Sequence, residues 1–352
     1  MSDVKLDDVA HAIAGYYDPH LKEDLVSAGV VKDIEVVDDA VLVDLSFGFP
    51  VKRYMTLVQQ ELEGQISELT GISKVMVNVG WQTAAHTVQP GKTPLPSIAN
   101  VILIASGKGG VGRTTATANL AISLAYEGAK VGVLDADIYS PCLAHAFGAA
   151  NKTIGDLQSE VLDPLSCFGV QLISLGNMVA PDVPMLWGGE HVSKAIEQLM
   201  FNTNWGKLDY LLIDLPAGSG DIHKTIFRHI PISGAVLVTT PQDLAVQSAI
   251  RTVHMLKMSG ISTIGIIENM AVNTCSACSS HEAIFGQSGG QKLAKDYGVD
   301  MIGSLPLNTR LCNDIDEGRP TVIAEPLGQL ARIYREIAVN MMATLSKQPF
   351  HA

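Results

Sequence analysis

The residues with the clearest chemistry form one continuous stretch, Ser106-Gly107-Lys108-Gly109-Gly110-Val111-Gly112-Arg113-Thr114-Thr115. It lies between an apolar run, VILIA, and a helical one, ATANLAISLAYEG. Glycines let the backbone wrap closely around phosphate oxygens with several N–H groups turned inward. The helix that follows adds the positive end of its dipole. The Thr114 hydroxyl is placed to ligate Mg²⁺. Strand, glycine loop, threonine and helix in that order predict an ATP site running from Gly107 to Thr115.

Two acidic groups follow at strand ends. Asp135 and Asp137 close one strand in VLDADIYSP, and Asp214 closes another in LLIDLPAGSGD. A carboxylate near Mg²⁺ holds the ion, directly or through water, and another orients the attacking water. Asp214 is assigned to the metal shell and Asp137 to the water, with Asp135 beside it as a further Mg²⁺ residue. Gly218 and Gly220 would let the intervening loop move with the γ-phosphate. Arg113 stands where a phosphate loop carries lysine. Lysine is a compact point charge and arginine a planar, bidentate one. Nucleotide binding is therefore expected to survive, with weak hydrolysis.

A second chemistry belongs to Cys275 and Cys278, a C-x₂-C pair on a loop beyond the strand IGIIENM. Two thiolates are half a tetrahedral site, and Cys142, Cys167 and Cys312 supply no second pair. A two-fold dimer would bring the same pair in from the other subunit. Four thiolates suit Zn²⁺ or an iron–sulfur cluster, while His281 offers a third Zn²⁺ ligand within one chain.

The elements that must position these groups are short apolar strands alternating with helical stretches from Ile98 onward. The expected strands are Val101–Ala105, Val131–Asp135, Val170–Ser174, Tyr210–Asp214, Ala235–Thr239, Ile264–Glu268 and Met301–Ser304. Such alternation predicts an α/β fold, a doubly wound, mostly parallel sheet with ligands at the carboxyl ends of its strands. Residues 1–86 read as a small α+β domain. It comprises a helix over Val4–Tyr17, strands Val31–Val37 and Ala40–Phe47 turning at Asp38-Asp39, a helix over Tyr54–Leu69 and a strand Val75–Val79. Residues 87–97, TVQPGKTPLPS, are a linker by composition, and residues 98–352 make the P-loop domain.

The 352 residues suit two domains, and 47% apolar residues suffice for a sizeable core. A net charge of −12 argues against nucleic-acid partners. No apolar run approaches the ~18 residues that span a bilayer, and the C-terminal helical pattern at Leu327, Leu330, Ile333, Ile337, Met341 and Leu345 has few basic neighbours. No membrane contact is expected. Five cysteines do not make a disulfide framework, so the expected compartment is the cytoplasm.

The glycine loop with its early Lys108 resembles the deviant Walker A ATPases, a group that includes MinD, ParA and the nitrogenase iron protein. That resemblance implies nucleotide-dependent homodimerisation, with Lys108 acting catalytically by reaching the partner's phosphates. The segments SGKGGVGRTT, VGVLDADIYSP, WGKLDYLLIDLPAGSGD, TTPQDLAV, GIIENM with its C-x₂-C, GSLPL and DEGRP narrow the resemblance to the Mrp/ApbC (NBP35-type) iron–sulfur cluster carriers. The segment YYDPHLKEDLVSAGVVKDIEV resembles the MIP18-like domain that precedes the ATPase in bacterial members. The resemblance implies a homodimer that bridges a labile [4Fe-4S] cluster through Cys275 and Cys278 and passes it to apo-proteins, modulated by ATP. It also implies that Asn269 contacts adenine; a turn-forming asparagine is the other reading. Arg113, Gly188 and Ser279 depart from the family pattern. A nucleotide-gated or Zn²⁺-binding scaffold with little hydrolysis is the alternative function.

Overall fold

The computed structural model describes residues 6–37, 40–155, 159–180, 183, 185–274, 278 and 280–350. The expected Asp38-Asp39 turn and Cys275 lie outside them.

The N-terminal unit contains α1 (Leu6–Ala14), β1 (Val31–Val37), β2 (Ala40–Phe47), α2 (Tyr54–Thr70) and β3 (Lys74–Trp81). β1 pairs antiparallel and β3 parallel with β2, which is the central strand. Along β2 the side chains alternate strictly, with Val41, Val43, Leu45 and Phe47 inside, as expected of a sheet with one covered face. α2 covers that face with Val58, Leu62 and Ile66, spaced four residues apart. The helix expected to Tyr17 stops at Ala14, because Tyr17–Asp18 pairs instead with Glu23–Asp24. The Asp18 carboxylate then takes the N–H groups of His20 and Leu21 and the Tyr54 hydroxyl, fastening the turn to α2.

The larger unit is built on β4 (Ile98–Ala105), β5 (Val131–Asp135), β6 (Leu165–Cys167), β7 (Val170–Ser174), β8 (Leu208–Asp214), β9 (Gly234–Thr239), β10 (Thr263–Glu268) and β11 (Met301–Ser304). Their order across the sheet is β11-β10-β9-β4-β8-β5-β7-β6. All neighbours are parallel except the β6–β7 edge pair. β6 is a three-residue strand that periodicity does not register. The continuous burial of β4, β8 and β9 is what helices on both faces of a parallel sheet require. Those helices include α3 (Arg113–Tyr126), α4 (Gly189–Phe201), α5 (Asp221–His229), α6 (Asp243–Met258), α7 (Gly289–Tyr297) and α8 (Gln329–Ser346). α8 packs on the sheet side with Leu330, Ile337, Met341 and Leu345 buried, whereas Leu327 precedes the helix and is exposed. No described helix is long and apolar enough to cross a membrane.

The stretch with linker composition is docked. Gln89 is buried, donating to the Ile230 carbonyl and accepting from the Ile232 amide. Lys92 Nζ donates to the carbonyls of Phe227 (2.6 Å) and Ile230 (2.7 Å), placing a cation on the C-terminal end of α5. Prolines and glycine set the path of this segment, but its two long polar side chains decide that it stays put. The two units also share apolar packing, and Glu127 at the end of α3 accepts the Arg53 and Tyr54 amides at the start of α2. α2 has no cap of its own, so the larger unit supplies one.

Candidate functional site

The phosphate loop leaves the carboxyl end of β4, next to the centre of the sheet, and runs into α3. Gly110 and Gly112 adopt left-handed backbone (φ 80° and 82°), which turns successive amides inward. At Gly112 a side chain is also excluded sterically, since a Cβ would lie 2.2 Å from Asn269 Nδ2. Gly107 is pressed against α6, where a Cβ would meet the Ser248 backbone at 2.2 Å. Lys108 through Thr115, with Ser106, Asp137, Ser140, Cys142 and Ala217, line a cavity of about 280 Å³. Ser106 Oγ is buried there with no hydrogen-bond partner among the described residues. An unpaired buried hydroxyl on a glycine cradle fits an oxygen-rich ligand such as phosphate.

Arg113 is among the residues lining this cavity, but its guanidinium is engaged by two carboxylates. Its guanidinium turns down toward the strand ends. Nε donates to Asp214 Oδ1 at 2.8 Å, and Nη2 donates to Asp137 Oδ2 at 3.0 Å and to Asp214 Oδ2 at 3.4 Å. Thr114 Oγ1 donates to Asp214 Oδ2 at 2.8 Å and Thr117 Oγ1 to Asp214 Oδ1 at 2.7 Å. Two lone pairs on each oxygen of Asp214 are thus matched by four donors. Burial opposes the charge on Arg113, but Asp214 and then Asp137 overcome it and move its pKa upward. The side chain of Asp214 is 1% exposed and that of Arg113 9%, so this is a buried ion pair. Breaking such a pair from one side costs about 3–5 kcal/mol.

Asp137 lines the cavity. Asp135, expected beside the metal, is buried behind the cavity. Its carboxylate accepts from Ser174 Oγ, the Leu143 amide and the Asp137 amide, and it does not line the cavity. Burial, then the negative charge of Asp214, pushes its pKa up to about 7. Lys108 sits at the exposed rim. Gly218 has left-handed backbone (φ 89°) and Gly220 an extended one. Gly188, one of the departures, caps α4 where nothing approaches its would-be Cβ.

Asn269 follows β10 and joins two parts of the site. Its Nδ2 donates to the Val111 carbonyl in the phosphate loop (2.9 Å), and its Oδ1 accepts the Met270 amide. Both ends of the amide, expected at adenine, are therefore engaged in bracing the loop. Beyond it the chain forms a two-residue antiparallel pairing, Asn273–Thr274 with His281–Glu282, which closes the loop carrying the cysteines. Cys278 is exposed, with Sγ 3.1 Å from Ser280 Oγ. The His281 ring is hydrogen-bonded through Nδ1 to Thr274 Oγ1 (3.0 Å).

Three contributors escape sequence reasoning. Thr117 binds Asp214 from one turn further along α3, a spacing visible in the sequence once the helix is known. His223 is buried at the start of α5; burial holds its pKa down, and the Arg113 charge adds to this against a contact with the Pro216 carbonyl. Cys142 lines the cavity, with its thiol pKa raised by burial.

Comparison with known proteins gives this geometry its relatives. The family model described as NUBPL iron-transfer P-loop NTPase matches residues 97–342. A second, described as iron–sulfur cluster assembly protein, matches residues 6–79. A protein of Pseudomonas fragi named iron–sulfur cluster carrier protein is 44% identical over 79% of this chain and 98% of its own length. One of Salmonella typhimurium with the same name is 36% identical over 96% of this chain and 91% of its own. Among solved structures, a nucleotide-binding protein from Archaeoglobus fulgidus in complex with ADP superposes with a TM-score of 0.57 at 33% identity. The match covers 66% of this chain and 91% of that one. A glycine cradle at the head of a parallel sheet and relatives matched nearly end to end lead to one assignment: this chain belongs to the NUBPL-type iron-transfer P-loop NTPase family, with an iron–sulfur cluster assembly domain at its N-terminal side.

Proposed function

We propose that this protein is an ATP-binding iron–sulfur cluster carrier. Two copies hold a labile [4Fe-4S] cluster between the Cys275 and Cys278 pairs and pass it to apo-proteins. Transfer is a ligand exchange, in which recipient thiolates replace the carrier's on iron, so it needs no electron donor. The observation that carries this reading is the Asn269 bond to Val111, which ties the phosphate loop to the segment leading into the cysteine loop. A nucleotide that reorders the phosphate loop therefore acts on the segment that leads to the cargo's ligands. Lys108, at the exposed rim, is available to the second copy's phosphates. The cytoplasm, with its reduced thiols, suits such cargo.

Hydrolysis is slow on this reading. Asp137, which would orient the attacking water, is paired with Arg113. A nucleotide-gated carrier fits that pairing better than a fast ATPase.

The test is anaerobic reconstitution with iron and sulfide, comparing wild type with Cys275→Ser/Cys278→Ser. Wild type should develop a broad absorbance at roughly 400 nm and hold about four irons per dimer, both absent from the variant. A double variant that still carried and donated a cluster would refute the proposal. Cysteine-dependent Zn²⁺ retention without any cluster would replace it with the scaffold reading.

A further inference from the structure

Mg²⁺ does not fit the acidic residues of this site as they are arranged. In a metal-dependent phosphate loop the strand-end carboxylate keeps lone pairs free for the ion or its waters. Here Asp214 already accepts from Arg113 Nε, Thr114 Oγ1 and Thr117 Oγ1 at 2.7–2.8 Å, and more weakly from Arg113 Nη2 at 3.4 Å. The second carboxylate, Asp137, receives the same guanidinium, so one fixed cation already bridges both acids. A divalent ion among them would be pressed against that cation in a site where both Asp214 and Arg113 are buried. Low polarizability around the pair makes such like-charge contact costly.

We propose that Arg113 takes the place of the metal, so that this protein binds ATP in its metal-free form. The proposal rests on reading the phosphate loop as a nucleotide site. The guanidinium supplies the positive charge behind the phosphates, and the loop amides, the N-terminus of α3 and Ser106 Oγ supply the donors in front. The fork of arginine is what allows this. Nε and Nη2 reach two carboxylates at once, whereas a lysine ammonium, a single point on a flexible stem, is free to reach out to the phosphates. The single residue that departs from the phosphate-loop pattern thus changes the chemical form of the ligand. In excess Mg²⁺, free ATP is depleted by the ion in solution, so affinity for total ATP should fall.

ATP titrated calorimetrically into wild-type protein, in excess EDTA and separately in millimolar Mg²⁺, decides the matter. The expected result is binding in EDTA at least as tight as in Mg²⁺, with Arg113→Lys reversing that order. Tighter binding of ATP to wild type in Mg²⁺ than in EDTA would overturn the proposal and leave the carrier reading intact. Absence of ATP binding in both media would overturn it together with the nucleotide half of that reading, while cysteine-dependent cluster assembly would stand on its own measurement. The wild-type comparison is sufficient by itself, so poor folding of the variant would not remove the test.

Discussion

Arg113 is one side chain whose direction matters more than its charge. As a cation on a phosphate loop it would be expected to face the ligand. The structure turns it inward because two carboxylates at adjacent strand ends offer a planar fork more hydrogen bonds than the loop does. It has thereby become part of the fold. Replacement by methionine leaves Asp214 buried without its counter-charge, which should lower stability by about 3–5 kcal/mol in urea unfolding. Arg113→Lys keeps a cation and should lose less. Equal, small losses in both variants would show that the pair does not contribute to stability. Asp135 teaches the same lesson in reverse. It has the position of a metal residue in the sequence, and its carboxylate is consumed by Ser174, Leu143 and the Asp137 amide.

At the scale of elements, the segment joining the two units behaves as a strap. Lys92 caps α5, the helix that begins where the Gly218–Gly220 loop ends, and burial holds the Lys92 pKa below its ordinary value. The strap thus holds the far end of the helix whose near end follows Gly218 and Gly220. Lys92→Met keeps most of the apolar stem and removes the cap. It should cost about 1–2 kcal/mol in denaturant unfolding, in line with a partly buried cation at a helix C-terminus. An unchanged midpoint would mean that the carbonyls of Phe227 and Ile230 are satisfied without it. Asn269 works at the same scale, because its amide is the hydrogen-bonded link between the β10 loop and the phosphate loop.

For the whole molecule, the two units share a core and the larger one caps α2, so they should unfold together. His86 sits at their junction, buried and stacked near Phe350 (ring centroids 5.2 Å apart), with its backbone amide on Asn100 Oδ1. Burial depresses its pKa, with contacts to the Gln348 and Pro349 carbonyls opposing in part. A histidine kept neutral by the fold takes up its proton more readily when unfolded. Stability should therefore be full above about pH 6.5 and be lost as pH falls below it. His223 shifts in the same direction and adds to the slope. His86→Gln should flatten the dependence of Tm on pH between pH 5 and 6.5 (a window set by the ordinary value of about 6.5), leaving the part due to His223. An unaltered slope would take His86 out of the account.

Much of this protein follows from local pattern alone. Alternating apolar runs and helical stretches locate β5, β7 and β11 to the residue; β5 and β7 are buried almost throughout, as inner strands of a parallel sheet must be. The glycine loop and the C-x₂-C pair declare their chemistry by type and spacing, which are covalent properties of the chain. Tertiary structure decides everything that depends on which partner wins. β6 exists only because β7 offers it an edge. A proline-rich segment is docked because Gln89 and Lys92 find carbonyls on α5. Above all, Arg113 faces two aspartates that lie 24 and 101 residues away and reach it only when the sheet assembles. Spacing along the chain reports which groups are available, but hydrogen-bond competition in three dimensions determines where each one is used.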